Sequence, residues 1–281
     1  MAGLQEDLIS GRGRQPNGRG AELRAARSKA PQPARVAVFG ANGQTGRLLT
    51  ELALARGHAV TAFTRHPARF PIHHPELRVV GGEVGDVRAV DHAVAGQDAV
   101  LSSLGVPFSR QPVSVYSEGV RHIIAAMRQH GVRRLACVSS SALEPHPEPQ
   151  GGLLFRKVLE PFFVGVLGRS TYLDQRRMEV LVRSSDLDWT LVRPSGLFAA
   201  PRVSDYQVGE GWVRGMFTSR RDLADFLVRQ LTDPQFVGKT AAIVTTEGQP
   251  SLLPFLWREG IAKRSGEVGV QQEDRTRDVT N

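Results

Sequence analysis

The sequence predicts a doubly wound α/β domain, with helices on both faces of a parallel sheet, from two observations. Short apolar runs rich in β-branched residues alternate along the chain with segments whose apolar residues recur at helical spacing. The first apolar run, residues 36–39, leads into glycines at positions 40, 43 and 46 and then into a helical segment. A strand, a glycine turn and a helix in this order predict a nucleotide phosphate site, because the first turn of a helix leaves backbone N–H groups without partners.

The three glycines have separate expected roles. Gly40 permits a sharp exit from the strand, Gly43 lets the backbone approach a pyrophosphate, and Gly46 lets the helix pack closely. A glycine-rich turn that binds no ligand is the alternative. The candidate pyrophosphate residues are therefore the whole loop: Gly40, Asn42, Gly43, Gln44, Thr45 and Gly46.

The composition is that of an ordinary globular protein. At 281 residues, 41% of them apolar and 23% charged, the chain is long enough for one large domain with a substantial core. No run approaches the roughly 20 apolar residues of a membrane span, and the amino-terminal segment lacks the apolar stretch of a secretory signal. We therefore expect a cytoplasmic protein without membrane contact. The single cysteine, Cys137, lies in a strand-like run, which predicts a buried, unreactive thiol.

The net charge of +8 is unevenly distributed. Residues 1–35 hold seven basic and three acidic residues, so half of the net charge lies there. This composition predicts a disordered basic tail over 1–34, followed by the domain over 35–246 and a partly loose carboxyl-terminal extension over 247–281. A basic arm that binds nucleic acid is an alternative that we do not favour. We expect a small-molecule substrate and a monomer or homodimer.

The end of the second predicted strand, residues 57–65, bears on cofactor choice. In doubly wound folds, a carboxylate at this point binds the 2′-hydroxyl of NAD, whereas a cation accommodates the 2′-phosphate of NADP. The chain offers Thr64 and Arg65 and no acid. Because an arginine can make a two-pronged contact with phosphate, we predict NADP(H) rather than NAD(H). The alternative is that Arg65 is a solvated surface charge.

The remaining strands and helices follow from periodicity and turn residues. Ser139, Ser140 and Ser141 follow the fifth strand, where a substrate is held in such folds, although serines there also satisfy backbone groups. Apolar residues form a stripe over 153–167, for which three roles are open: it covers a substrate pocket, joins two subunits or packs on the sheet. We place a substrate region around 153–215. Strands are predicted at 77–82, 135–138, 188–194 and 240–245, and a turn followed by the fourth strand at 96–105. Helices are predicted at 87–94, 112–130 and 170–184, a long loop at 195–215, and a capping box formed by Ser219 and Asp222.

These motifs together resemble the atypical short-chain dehydrogenase/reductases. Within them the chain is similar to the NAD(P)H-binding group that contains biliverdin reductase B type flavin reductases and NmrA-like proteins. The resemblance covers about residues 35–246 and implies a Rossmann domain with strand order 3-2-1-4-5-6-7. It is carried by Gly40-x-x-Gly43-x-x-Gly46, Arg65, Gly85-Asp86, the serines after strand five, and Trp189-Thr190 to Arg193-Pro194.

The resemblance also implies site residues. It adds Asp86, Gly105, Ser140 and Pro194 to the cofactor-binding candidates, although Asp86 is most simply a helix cap. It implies catalytic roles for Ser141, Tyr172 and Arg176, and no metal. Short-chain reductases generally use a tyrosine followed four residues later by a lysine, whose charge lowers the tyrosine pKa. Here Arg176 takes that place, and Gln175 stands where relatives often have a lysine or histidine.

This departure favours acceptors that need only hydride and a solvent proton, such as flavins and quinones. We therefore expect an NADP(H)-dependent oxidoreductase that acts on a small flavin, quinone or carbonyl acceptor. The alternative is a non-catalytic NADP(H) sensor of the NmrA-like type. A nucleotide-sugar epimerase ranks last, because it would need an intact tyrosine–lysine pair.

Overall fold

The computed structural model describes residues 33–107, 111–144 and 168–250. The predicted basic tail, the apolar stripe over 153–167 and most of the carboxyl-terminal extension lie outside these ranges. The domain boundaries given above therefore stay predictions. None of the helices within the described ranges is long and apolar enough to cross a membrane.

The structure is built on an eight-stranded sheet. Its strands are β1 (Arg35–Phe39), β2 (Ala59–Thr64), β3 (Leu77–Gly81), β4 (Ala99–Ser102), β5 (Arg134–Val138), β6 (Asp188–Pro194), β8 (Tyr206–Glu210) and β10 (Lys239–Thr245). Their spatial order is β3-β2-β1-β4-β5-β6-β10-β8, and all neighbours are parallel except β8, which runs antiparallel to β10. Since β10 is the predicted seventh strand, the predicted order is confirmed, with β8 added at the edge.

Helices cover both faces of this sheet. They are α1 (Gln44–Ala55), α2 (Val87–Val94), α3 (Val115–Gln129), α4 (Arg169–Arg183) and α5 (Arg220–Arg229). Strand β1 alternates between two cores: Phe39 packs with α2, α3 and α4, whereas Val38 packs with α1 and α5. Both faces of the central strand are thus buried, which is why it consists almost entirely of apolar residues. The doubly wound α/β class is confirmed.

The strand order places a crevice above β1. Residue Phe39 is paired with Phe63 of β2 on one side and with Ser102 of β4 on the other. Connections after β1 and β4 leave towards opposite faces, which opens a gap at the carboxyl ends of these strands. The glycine loop begins at this gap.

The segment predicted as one long loop at 195–215 is more regular than expected. It contains β7 (Gly196–Phe198) and β8, and β9 (Phe217–Ser219) follows it and pairs in parallel with β7. These short strands are held by distant partners, such as the Ile243 carbonyl, which accepts from the Thr218 hydroxyl at 2.6 Å. Local periodicity carries no sign of such contacts.

The predicted capping box is only half formed. The Ser219 hydroxyl accepts from the backbone N–H of Asp222 at 3.0 Å, as expected. The Asp222 carboxylate does not reach back, because it accepts from Ser204 N at 2.8 Å and from the Thr245 hydroxyl at 2.5 Å. This buried carboxylate therefore fastens the segment between β7 and β8 to β10.

Candidate cofactor and active site

The glycine loop has two positions where only glycine fits. Gly40 has a φ of +74°, and a Cβ there would lie 2.6 Å from the Ser103 carbonyl oxygen. A Cβ on Gly46 would lie 2.1 Å from the Gly40 carbonyl oxygen. Gly43 differs, because its φ is −73° and its nearest obstacle would be 3.3 Å away. The backbone at Gly43 is exposed, so it is the glycine that a ligand could approach.

The helix that follows this loop begins without a cap. No side chain in the described residues accepts from the first N–H groups of α1, and its first turn contains no acid. By contrast, Asp86 caps α2 by accepting from Arg88 N at 3.0 Å and Ala89 N at 3.2 Å. The N–H groups of Gln44, Thr45 and Gly46 are thus left for an anion at the positive end of the helix dipole. The carboxylate of Asp86 already serves α2.

Arg65 lies beside this site at the end of β2. The pairing of Phe63 with Phe39 puts Arg65 one residue past the level at which the glycine loop starts. Its side chain is exposed, and it forms no hydrogen bond or ion pair within the described ranges. A second exposed cation, Arg69, ends the 3₁₀ turn Pro67–Arg69. Asn42 in the loop accepts from Arg47 Nε at 3.0 Å. Two exposed arginines, Arg65 and Arg69, thus follow β2. Arg47 belongs to α1.

Two further cofactor candidates lie at the same edge of the sheet. Gly105 follows β4 and is exposed, and a Cβ there would meet nothing within 4 Å. Pro194 ends β6, is buried, and is paired with Ile243 of β10. The strand ends thus place Gly105 and Pro194 on the edge that carries the glycine loop, with Gly105 bordering open space.

Tyr172 pairs with Ser140 rather than with Ser141. The hydroxyl of Tyr172 is hydrogen-bonded to Ser140. Ser140 also accepts from Ala142 N at 3.2 Å, which caps the 3₁₀ turn Ser141–Leu143. Burial raises the pKa of Tyr172, the Ser140 hydrogen bond opposes this, and the neighbouring Tyr116 adds to the rise. Tyr172 therefore stays protonated at neutral pH, unlike a tyrosine activated by a lysine.

Arg176 contacts the end of this 3₁₀ turn. The Arg176 guanidinium donates to the Leu143 carbonyl, and its charge acts on Glu144. The predicted catalytic set is thus divided: Ser140 and Tyr172 meet, Ser141 lies within the adjacent 3₁₀ turn, and Arg176 binds the end of that turn. Their catalytic roles remain predictions.

A buried ion pair next to these residues was not predicted. Glu179 of α4 accepts from Arg193 of β6 at 2.8 and 2.6 Å and from the Ser139 hydroxyl at 2.7 Å. Glu144 accepts from Arg193 as well, at 2.8 Å. Burial would raise the pKa of Glu179, but the hydrogen bonds from Arg193 and Ser139 outweigh it and hold the pKa below its ordinary value. Arg193 belongs to the motif Trp189-Thr190 to Arg193-Pro194 noted above, yet sequence spacing does not reveal that it pairs with Glu179.

Helices α3 and α4 are joined by polar contacts that sequence reasoning also missed. The buried Asp174 accepts from the backbone N–H groups of Tyr116 at 2.9 Å and Ser117 at 3.2 Å, which caps α3 from another helix. The Tyr116 hydroxyl accepts from Val106 N at 3.2 Å and is reached by the amide of Gln175. The loop after β4 is therefore tied to α4 through Tyr116. No local sequence signal marks an interhelical cap of this kind.

Comparison with known proteins decides the family. The sequence pattern of the family described as NAD(P)H-binding matches residues 40–234, well over half of the chain. The chain belongs to this NAD(P)H-binding family. Its match begins at Gly40 and ends after α5, so it includes the glycine loop, Arg65, Tyr172 and the Glu179–Arg193 pair. The match confirms the NAD(P)H-binding part of the resemblance drawn from the sequence motifs.

Individual relatives of this family member are distant. The 2-alkyl-3-oxoalkanoate reductase of Stenotrophomonas maltophilia is 35% identical over 118 residues, 39% of this chain and 34% of that protein. The chain thus spans about a third of the length of this curated relative. A short-chain dehydrogenase/reductase from Veillonella parvula in complex with NADP superposes with a TM-score of 0.63 and 20% identity, over 79% of this chain and all of the other. The anaerobillin reductase ChuY from Escherichia coli O157:H7 gives 0.60 and 20%, over 77% of this chain and all of its own. These likenesses show the fold.

The residues present fit a dinucleotide. The tight contacts of Gly40 and Gly46 shape the loop, the exposed Gly43 leaves room for a pyrophosphate, and α1 supplies unpartnered N–H groups. Gly105, Ser140 and Tyr172 follow along the same edge of the sheet, where the nicotinamide half of a dinucleotide would extend. NAD(P)H binding is the property that the family match and this geometry share.

Proposed function

We propose that this protein is an NADP(H)-dependent oxidoreductase that reduces a small flavin, quinone or carbonyl acceptor. The proposal depends most on one observation: no side chain within the described ranges accepts from the first N–H groups of α1, and the residue that precedes the helix is the exposed Gly43 of the glycine loop. A helix left open in this way is suited to a pyrophosphate. The reductases among its relatives support the reaction class, although each name describes that relative alone.

The proposed preference for NADP(H) comes from the end of β2. Arg65 is exposed and has no partner within the described ranges, so its guanidinium is available to a 2′-phosphate. None of residues 65–75, which follow β2, carries a carboxylate that would repel that phosphate or accept from a 2′-hydroxyl. A charge-assisted, two-pronged contact is the strongest kind of hydrogen bond available here.

The proposed acceptor class comes from the protonation state of Tyr172. Bound NADPH supplies the hydride. The protonated Tyr172 hydroxyl and its Ser140 partner hold an acceptor oxygen by hydrogen bonds, but the raised pKa of Tyr172 opposes loss of its proton. Acceptors that take their proton from water suit such a site better than those that need an enzyme acid. Flavins and quinones are of this kind.

A non-catalytic NADP(H) sensor is the second candidate. The observation that favours it is the contact of Arg176, whose guanidinium donates to the Leu143 carbonyl, whereas the equivalent lysine of short-chain reductases is a neighbour of the catalytic tyrosine. A protein that binds the nucleotide without turning it over does not need that neighbour. In this case the occupied state would control a partner.

A titration distinguishes the two candidates. The purified full-length protein is titrated with NADPH and with NADH, and flavin and quinone acceptors are then added while absorbance at the nicotinamide band is followed. If the protein is the proposed reductase, it binds NADPH more tightly than NADH and oxidises NADPH only when an acceptor is present. Tight binding without oxidation by any acceptor would favour the sensor, and no binding of either nucleotide would contradict both.

A further inference from the structure

Helix α4 carries two buried polar side chains without a hydrogen-bond partner. Within the described ranges, only six buried side-chain N or O atoms lack a partner, and two of them are Thr171 Oγ1 and Gln175 Oε1. Thr171 is 3% exposed and Gln175 is 7% exposed. Residues four apart lie on the same face of a helix, so the two atoms belong to successive turns of one face. An unmade hydrogen bond in such a place costs free energy, which a bound ligand would recover.

The surroundings place this face at the candidate active site. Tyr172, which meets Ser140, lies between the two residues in sequence. The amide of Gln175 reaches the Tyr116 hydroxyl, which in turn accepts from Val106 N in the loop after β4. One turn further along, Met178 packs into the apolar core. The polar part of this face thus ends where the core begins, beside the Tyr116 hydroxyl.

We propose that Thr171 and Gln175 form a subsite that recognises an acceptor by a lactam or imide edge. Gln175 Oε1 accepts from the N–H of that edge, and the Thr171 hydroxyl donates to the neighbouring carbonyl oxygen. A quinone has acceptor oxygens only and cannot satisfy Gln175 Oε1. The subsite therefore separates two acceptor classes that the proposed function leaves together, and the inference rests on that proposed function for the identity of the pocket.

The selectivity follows from unpaired groups rather than from size. A site built to hydrogen-bond a ligand N–H rejects an analogue without it, because the buried acceptor then loses its partner. Planar acceptors of equal area therefore differ in affinity according to this one N–H. The effect on ligand affinity should be about tenfold for a single buried hydrogen bond.

The test uses two probes that differ only at this N–H, lumiflavin and 3-methyl-lumiflavin. Their binding to the full-length protein saturated with NADP⁺ is measured by quenching of flavin fluorescence. Gln175→Met conserves volume and removes the amide, and Met178→Leu is the matched control on the next turn of the same face. We expect the wild type to prefer lumiflavin, Gln175→Met to weaken lumiflavin binding about tenfold and leave 3-methyl-lumiflavin binding unchanged, and Met178→Leu to leave both unchanged.

A second variant tests the other half of the subsite. Thr171→Val removes the hydroxyl with little change of shape, and both flavins keep the carbonyl that it serves, so both should bind several-fold more weakly. Equal losses for both flavins in Gln175→Met, weaker NADP⁺ binding in that variant, or no lumiflavin binding by the wild type would each overturn the proposal. Lumiflavin binding without NADPH oxidation would instead contradict the proposed reductase activity, but it would support the proposed subsite.

Discussion

Gly43 and Gly46 differ in what an added side chain would contact. Substitutions at these two positions therefore test cofactor binding and folding separately. A methyl group on Gly43 lies at an ordinary φ with its nearest obstacle at 3.3 Å, but it projects where a pyrophosphate would approach. A methyl group on Gly46 collides with the Gly40 carbonyl oxygen at 2.1 Å. We expect Gly43→Ala to keep the free energy of unfolding within about 1 kcal/mol and to weaken NADPH binding tenfold or more, as urea unfolding and fluorescence titration would show.

Gly46→Ala is the matched variant. It should lower the free energy of unfolding by about 1–3 kcal/mol, since the clash involves backbone atoms that cannot rotate away. If Gly43→Ala bound NADPH as tightly as the wild type, the glycine loop would not be the pyrophosphate site.

Arg65 is the residue on which nucleotide preference should depend. Because its guanidinium is exposed and meets no partner within the described ranges, removing it costs the fold little. Arg65→Ala should weaken NADPH binding by roughly 10- to 100-fold, the value of a charge-assisted contact, and leave NADH binding nearly unchanged. Isothermal titration of both nucleotides measures this, with the exposed Arg121→Ala as a control for lost positive charge. Equal losses for NADPH and NADH would show that Arg65 does not contact the 2′-phosphate.

Among the elements, α4 is held to the sheet by the Glu179–Arg193 pair. Glu179→Gln leaves a buried guanidinium with only the exposed Glu144 as a partner. We expect the free energy of unfolding at pH 7 to fall by about 3 kcal/mol, as measured by urea unfolding. Glu144→Gln is the matched control, and its loss should stay below about 1 kcal/mol because that carboxylate is solvated.

The same pair predicts an acid-sensitive stability. The pKa of Glu179 is lower in the folded than in the unfolded chain, so the ionised carboxylate contributes stability above an unfolded pKa of about 4.3. That contribution is lost as the pH falls through the folded pKa. Between pH 5 and about 3, the wild type should therefore lose more stability than Glu179→Gln does. Parallel curves for the two proteins would mean that Glu179 does not titrate with the fold.

The elements also show what sequence reasoning can reach. The helix predicted at 87–94 and the strand predicted at 188–194 have those bounds in the structure, because apolar periodicity and a following proline or cap are local signals. Strands β7 and β8 were missed, since they are short and pair with distant strands: β7 pairs with β9, 21 residues further along the chain, and β8 pairs with β10, 31–39 residues further along. Pairing over such a distance produces no apolar periodicity in the sequence of an edge strand.

The residues of the candidate site also divide into those that the sequence could place and those that it could not. The glycine loop and Arg65 lie within single strand–turn–helix units, so the sequence could predict their placement. The choice of Ser140 over Ser141 as the partner of Tyr172 depends on the direction of a 3₁₀ turn that docks on α4. The position of Arg176 depends on the carbonyl at the end of that turn. Such directions come from tertiary packing and are not encoded in spacing.

At the scale of the whole molecule, nucleotide binding should stabilise the fold. The glycine loop links β1 to α1, and these two elements contribute to the two cores on either side of the sheet. A ligand that binds only the folded chain adds about 2.7 kcal/mol at 100 times its Kd, which corresponds to a rise in Tm of roughly 5–10 °C for a domain of this size. Calorimetry should show this rise with NADPH, a smaller one with the same concentration of NADH, and a smaller one with NADPH in Gly43→Ala. Identical shifts with both nucleotides would contradict the NADP(H) preference.

The buried Cys137 has a practical consequence if the protein passes electrons to small acceptors as proposed. It is the chain's single cysteine, it is 0% exposed, and burial raises its pKa to about 12. A thiol kept protonated and out of solvent resists alkylation and peroxide, which forms when reduced flavins or quinones meet oxygen. A cysteine placed at an exposed position of α4, as in Val180→Cys, would then be the one reactive thiol. A spectroscopic label attached there would occupy a single known position and report on α4.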